Sequence, residues 1–493
     1  MKWASAISES ENVEKAVSEC AESIKSIVGN SPDLVFVFPS FNFSGQFKDI
    51  SNALSKHFEN SVIMGCSGNG VIGAGREVEH TPGFAMCAAE LPEVEITPFH
   101  ISDSDLPDGD DPPNKWENVL GVSRESRPNF VLLADPFSVR GENLLMGMDY
   151  AYPDCKIVGG LASGGTQPGS NALYLNNITY DHGIAGVALS GNIEINTIVA
   201  QGCKPIGSLS RITKCERNIL QELDGRSPFD ILGETYNDLN EADQKLFQNS
   251  LFLGVVMDPF ESSPGIGDFL IRNIVGANPD AGQLAVGQML REGQLVQFHL
   301  RDAQTSTENL SNMLDEYQST PFGPETGALM FSCLGRGKYL YEEPDHDTDL
   351  FREKIGDLPL TGFFCNGEIG PVSGSTFLHG YTSSFGSGSK DVYFEEIMYA
   401  KKHQNKSLAQ VLIDGDIGLE YSDFSNMCNN RGIIMDNNNQ LILTAYDKDD
   451  YYEDGYSFYR SSIKEINVLK HSYIEFGTIN DHFLITFEYQ FGL

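Results

Sequence analysis

A chain of 493 residues is too long for one ordinary core and predicts two to four domains. With 69 acidic against 33 basic side chains, a net charge of −36 repels phosphate backbones and anionic bilayers, which argues against nucleic-acid binding and favours a solubility role for the acidity. No stretch approaches the roughly eighteen apolar residues that span a bilayer. The first residues carry no signal-peptide core, so no membrane insertion and a cytoplasmic location are expected. Nine irregularly spaced cysteines without a Cys-x-x-Cys pair predict free thiols and no structural zinc site.

In chain order, apolar positions Val13, Ala16, Val17, Cys20, Ile24, Ile27 and Val28 fall at helical spacing and predict an amphipathic helix over 10–28. A buried strand, Leu34 to Phe38, and a helix over 45–58 follow. The strand beginning at Val62 then enters a glycine turn, Gly65-Cys-Ser-Gly-Asn-Gly70. The order recurs about 95 to 100 residues later, longer than a solenoid unit, so it predicts a duplicated subdomain. Pro32–Phe41 is matched by Pro128–Phe137, Val62–Gly70 by Ile157–Gly165, and the small-residue strand from Gly83 by one from Gly183. Each copy is expected to add two antiparallel strands, giving an α/β (α+β) protein of mixed sheets with outer helices. The acidic run Ser102–Pro113 reads as a solvated loop between the copies.

Beyond Pro205, Glu216–Leu223, Glu241–Asn249 and Ser306–Tyr317 are expected to be helical, and Leu251–Met257, Phe269–Val275 and Gln294–Leu300 extended. The strand from Gly327 into Leu334-Gly-Arg-Gly337, a helix over 345–355, the strand Leu360–Phe364 and a strand Thr376–Ser383 echo the N-terminal layout. Their sequence match is too loose for a third repeat. Phe385-Gly-Ser-Gly-Ser-Lys390 reads as a flexible break, native or introduced. After it, a helix over 392–413, a hairpin over 432–445 and two or three more strands predict a separate β-rich module, 387–493.

The glycine turns lack both the G-x-G-x-x-G register and the Walker lysine. They still allow backbone N–H groups to approach a ligand, which nominates Cys66, Ser67, Gly68, Gly70, Ser163, Gly164, Gly165 and Thr166. No histidine lies near Cys66 or Cys365 in sequence, so an activated thiol is not expected. Glu368 is set among apolar residues and needs a partner if buried. Arg336 is nominated as that partner, the pair recognising a ligand's amino or carboxylate group, with Cys365 and Asn366 beside it. A single histidine, His182, His299 or His379, is the alternative: an axial haem ligand. The acidic stretch 447–455 is superficially similar to a calcium loop, but with Asp450 first and Gly455 sixth, Tyr452 and Ser461 fall where oxygen ligands of another kind are required.

Lys2-Trp-Ala-Ser-Ala, Gly65-Cys-Ser-Gly-Asn-Gly, Phe331-Ser-Cys-Leu-Gly-Arg-Gly and above all Gly362-Phe-Phe-Cys-Asn-Gly-Glu-Ile-Gly-Pro resemble FIST proteins. The resemblance spans about residues 1–386, with an N-terminal region to 204 and a C-terminal region over 205–386. It implies an intracellular sensory module for a small ligand, with amino acids one suggested class and haem used by some bacterial members. No F-box and no kinase, receiver or cyclase signature accompanies it, so a signal is expected to leave through a protein partner or the C-terminal module. The expectation is therefore a non-enzymatic sensor without a resident cofactor, binding its ligand in a cleft between the duplicated halves that the glycine turns line. A haem-based gas or redox sensor and a scaffold working through protein contacts are the alternatives.

Overall fold

A computed structural model describes residues 1–261, 263–319 and 325–389, and beyond them five strands between 433 and 488. β1 (Lys2–Ser8) leads to α1 (Val13–Val28), β2 (Leu34–Pro39), α2 (Phe47–Ser55), β3 (Val62–Cys66), the hairpin β4 (Gly70–Gly73) and β5 (Arg76–Glu79), and β6 (Phe84–Glu90). The same succession follows in β7 (Val94–Ile101), α3 (Pro113–Leu120), β8 (Asn129–Ala134), α4 (Gly141–Ala151), β9 (Ile157–Leu161), the hairpin β10 (Leu173–Leu175) and β11 (Ile178–Tyr180), and β12 (Ile184–Gly191).

β13 (Glu194–Gln201) opens a third succession, which is interrupted by an insertion. The insertion comprises β14 (Cys203–Glu216), β15 (Ile219–Leu223), α5 (Pro228–Asp238), α6 (Glu241–Asn249), β16 (Leu251–Val256), β17 (Phe269–Asn278), β18 (Gln283–Val286) and β19 (Leu295–Arg301). α7 (Ala303–Ser319), β20 (Glu325–Cys333), α8 (Lys338–Tyr341), α9 (His346–Ile355), β21 (Leu360–Cys365), the hairpin β22 (Glu368–Val372) and β23 (Ser375–His379), and β24 (Thr382–Ser389) complete the third succession.

Three six-stranded mixed sheets result, and they share one plan: β1-β6-β2-β3-β10-β11, β7-β12-β8-β9-β22-β23 and β13-β24-β20-β21-β4-β5. In each sheet four strands come from one succession and the last two are a hairpin donated by another. The second gives β10–β11 to the first, the third gives β22–β23 to the second, and the first gives β4–β5 to the third. The exchange closes a ring, so the loops that lead into the donated hairpins all meet.

Period-2 alternation explains the layering. Leu34, Phe36 and Phe38 of β2 face a central core shared with Val131, Leu133, Leu329, Phe331 and Phe363 of the other two sheets. Val35 and Val37 face outward beneath α1 and α2, packed with Val17, Ile24 and Ile50. Equivalent outer cores lie under α3 and α4 and under α7 and α9. Helix α1 forms where its apolar stripe requires a cover. The Asn12 side chain accepts from Lys15 N at its start, and Gly29 ends it at φ 83°.

The insertion is a closed barrel, β14-β15-β18-β17-β16-β19, filled by Ile212, Leu220, Leu253, Val286, Val296 and Leu300 among others. Here the expected helix Glu216–Leu223 is corrected to the end of β14 and the whole of β15. Arg217 takes φ 55°, which turns the chain into a hairpin instead of a helical turn. The expected strand Thr376–Ser383 is split in two by a turn at Gly380 and Tyr381, the latter at φ 66°. The flexible break is also corrected. Gly386 to Ser389 lie in buried β24, between β13 and β20, where small residues admit Val158 and Trp3 against the strand.

Residues 391–493 form a second unit, described by itself. Its hairpin is present as β25 (Ile433–Met435) paired antiparallel with β26 (Leu441–Leu443). β27 (Ile463–Val468), β28 (Tyr473–Thr478) and β29 (Ile485–Glu488) make a three-stranded antiparallel sheet. The expected helix 392–413 and the acidic stretch 447–455 lie outside the described residues.

Candidate functional site

The glycine turns predicted to line a cleft meet at the centre of the ring and satisfy one another. Ser163 Oγ donates to the Phe364 carbonyl and accepts from Asn69 N at 2.8 Å. Ser163 N donates to Ser67 O at 3.1 Å, and Ala172 N donates to Ser67 Oγ at 3.1 Å. Leu161 N and Asn366 N donate to Gly367 O and Leu161 O at 2.8 and 3.1 Å. Cys66, Ser67, Gly68, Gly70, Ser163 and Gly165 are buried in this junction, Gly164 packs on Phe41 at φ 93°, and Thr166 is exposed at its edge. Burial raises the Cys66 and Cys365 thiols well above their ordinary value, which leaves both as packing groups.

An open space lies to one side of this junction, a cavity of about 730 Å³ between the barrel and the third succession. Barrel strands β16, β17 and β19 contribute Phe252, Asn273 and Arg301, and the turns after β20, β21 and β23 contribute Cys333 to Gly335, Cys365 to Gly367 and Leu378 to Tyr381. Glu142 of α4 and Tyr339 of α8 stand on its rim. Of the residues singled out from sequence, Cys365, Asn366 and His379 line this cavity, and Asn366 is the exposed one.

Arg301 has the distinctive chemistry. Its guanidinium carbon lies 5.0 Å from the Tyr339 ring centre and 5.3 Å from that of Tyr381. A Cβ on Gly335 would fall 2.1 Å from Arg301 Nη1, so only glycine lets the guanidinium rest against that turn. Among the described residues no carboxylate pairs with it. Arg272, by contrast, is fully engaged. It donates to Gln288 Oε1 at 2.5 Å, Ile271 O at 3.2 Å, Leu378 O at 3.0 Å and Glu142 Oε1 at 3.4 Å. Tyr381 donates its hydroxyl to Asn273 Oδ1, which fixes one wall of the Arg301 stack.

The expected Arg336–Glu368 pair is corrected. Arg336 Nε and Nη2 bind Asp347 at 2.6 and 3.0 Å, because α9 brings its first turn over the Gly335–Gly337 loop; both partners are 1% exposed. Burial works against the Asp347 charge, yet Arg336 and His346 hold its carboxyl well below the usual range. Glu368 begins β22, with Oε2 accepting from Thr382 N at 3.2 Å and Thr382 Oγ1 at 2.7 Å. Its Oε1 is buried without a partner among the described residues, and burial pushes the carboxyl up to about 8. Arg336 Nη1 is likewise buried and without a hydrogen-bond partner among the described residues.

The three histidines nominated for haem sit apart. His182 is exposed and contacts Asp181 Oδ1 at 2.8 Å. His299 is buried in the barrel wall beside Phe269, with Nδ1 3.0 Å from Gln297 O. His379 lines the cavity with Nε2 2.9 Å from Gly370 O; burial lowers both buried rings to about 4, so they are neutral. Sequence reasoning missed Arg301, Tyr339 and Tyr381. The available signal was weak: one of only 33 basic residues, at the end of a barrel strand that also carries Gln297 and His299.

Comparison with known proteins fits this architecture. The FIST N domain matches residues 33–226 and the FIST C domain residues 228–371, so the boundary between the two falls inside the barrel. An uncharacterized protein of Mycobacterium tuberculosis is 32% identical over 381 residues, covering 77% of this chain and 97% of its own length. One of Mycobacterium bovis is 29% identical over 371 residues, 75% of this chain and 94% of its own. An F-box/LRR-repeat protein of Arabidopsis thaliana is 26% identical over 293 residues, 50% of this chain and 54% of its own. Among solved structures, a cyanuric acid hydrolase from A. caulinodans aligns at 8% identity over 79% of this chain and 99% of its own, with a TM-score of 0.28 that carries no argument. Among the described residues no helix is long and apolar enough to cross a membrane.

Proposed function

The chain belongs to the FIST family, whose domains are generally described as sensory domains for small ligands, and on that premise we propose that it senses a small ligand in the cavity between the barrel and the third sheet. The observation that carries this reading is Arg301, a guanidinium stacked between Tyr339 and Tyr381 with no carboxylate partner among the described residues of a chain with 69 acidic side chains. The cavity volume of about 730 Å³ suits a metabolite-sized molecule. The barrel contributes one wall and the turns after β20, β21 and β23 the other, so a ligand touching both would favour one spacing between them. That spacing is the signal we propose a protein partner reads.

Binding without chemistry accounts best for the groups present. Burial raises the Cys333 thiol to about 12 and the Cys365 thiol well above its ordinary value, and His379 turns Nε2 to a backbone carbonyl. No thiolate and base are thereby set against each other in the described lining. The test is a small-metabolite screen on the full chain by native mass spectrometry, run beside Asn366→Trp. Asn366 is exposed in the cavity, so the indole should block it while the backbone bond from Asn366 N to Leu161 O persists. Compounds retained by the wild type should be lost from a folded N366W protein. Retention of every compound by that variant would place the ligand elsewhere.

A further inference from the structure

The cavity is a cationic recess in a strongly acidic protein, and the balance of its charged groups is specific. Two guanidinia reach it, Arg272 and Arg301, against one carboxylate in the described lining, Glu142, which faces Arg272 at 3.4 Å. Arg272 already has acceptors at Nε, Nη1 and Nη2. Arg301 has aromatic rings against its guanidinium and no acceptor for its five N–H donors among the described residues. A guanidinium held this way offers its in-plane edge, the geometry that binds a carboxylate or phosphate through two parallel hydrogen bonds.

A cationic ligand group finds no such counterpart. Glu142 is engaged, and Glu368 lies fully buried behind Gly367, with Oε2 given to Thr382. Tyr381 and Asn273 hold each other, and the rest of the described lining, Asn249, Asn366, Tyr339 and neutral His379 included, carries no negative charge. An ammonium entering the cavity would meet two guanidinia and, in the described lining, no carboxylate other than the Glu142 that faces Arg272.

Resting on the reading of this cavity as the ligand site, we infer that its ligand is a small oxyanion that carries no ammonium group, a carboxylate or phosphate ester bound edge-on by Arg301, and that a zwitterionic amino acid is discriminated against. The amino group is the discriminating feature, because removing it from an otherwise identical molecule removes only the unfavourable contact. Selection therefore rests on repulsion as much as on the anchor.

The experiment is calorimetric titration of the full chain with matched probes: succinate against aspartate, glutarate against glutamate, and glycolate against glycine, with phosphoglycolate as the phosphate arm and succinamide as the uncharged control. The wild type should bind at least one anion, and bind its amino counterpart about tenfold or more weakly. Arg301→Gln should weaken that anion by about ten- to a hundredfold, and Arg301→Lys should lose less, since it keeps the charge without the fork. The comparison of matched probes on the wild type needs no variant, so a misfolded R301Q protein does not blunt it. Equal or tighter binding of the amino acids overturns the inference, as does an R301Q protein that binds the anion unchanged. Absence of anion binding up to about 10 mM also overturns it. Asn366→Trp separates the two levels: if amino acids or succinamide bind and N366W blocks them, the cavity stands and only the anion assignment falls. If N366W blocks nothing, the cavity itself falls.

Discussion

Replacing Glu368 by glutamine removes one proton-binding site from the protein interior and leaves the shape of the side chain. In the native chain Glu368 is wholly buried, Oε2 accepts two bonds from Thr382, Oε1 has no partner among the described residues, and burial raises the carboxyl from 4.5 to about 8. Between those two values the folded protein keeps a proton that the unfolded chain has released. Stability must then fall as pH rises through the window, by about 1.4 kcal/mol for each pH unit, and level off above about 8. Between pH 5 and 7 the loss from this one group is about 3 kcal/mol. The amide oxygen of the substituted glutamine can accept both Thr382 bonds, and the amide does not titrate.

The E368Q variant should therefore match the wild type near pH 5 and exceed it near pH 7 by about 3 kcal/mol, a rise in Tm of a few degrees. Differential scanning calorimetry of both proteins from pH 5 to 8 measures this. The difference between the two curves isolates Glu368 from Glu77, which burial and the neighbouring Asp347 charge also raise. Parallel curves would mean that Glu368 is ionised throughout, and the argument from burial would be wrong.

Asp347→Asn should lower stability by about 3–5 kcal/mol, because it leaves the Arg336 guanidinium charged and uncompensated at 1% exposure; thermal melting checks it. Gly362→Ala should prevent correct folding, since its Cβ would lie 1.7 Å from the Met330 carbonyl oxygen, whereas Gly374→Ala, at φ 82° in open space, should cost only about 1 kcal/mol; yield and melting of the two variants discriminate them. Alkylation by iodoacetamide followed by peptide mass spectrometry should modify half-exposed Cys215 well before Cys66 and Cys365, which should stay unlabelled until the protein unfolds. Early labelling of Cys66 would contradict its burial.

Much of the fold was legible because it is locally encoded. The stripe Val13, Ala16, Val17, Cys20, Ile24 makes α1 wherever it is placed, and Leu34 to Phe38 forms a strand buried on both faces. The errors fall where a distant partner decides. Ile219 to Leu223 carries apolar residues that suit either period, and pairing with β14 and β18 makes it a strand. Gly386 to Ser389 has the composition of a linker, and its neighbours β13 and β20 make it a central strand, since Trp3 and Val158 need the space that side chains would fill. The candidate site divides the same way. The turns Cys66–Gly70, Ser163–Thr166 and Cys365–Glu368 were found as turns, but whether they line a cleft or bury one another depends on the hairpin exchange.

By itself the sequence determined the family, the mixed α/β class and the positions of the glycine turns, because periodicity and the need for small residues act over a few positions. Only the tertiary structure decided the ring of donated hairpins, the partner of Arg336 and the solitude of Arg301 among the described residues. Charge pairing is a competition in space. Asp347 lies eleven positions from Arg336 and takes it, while Tyr339 and Tyr381 reach Arg301 from 38 and 80 positions away and stack against it. No local spacing encodes the outcome of that competition, since its terms are distances that exist only once the chain has folded.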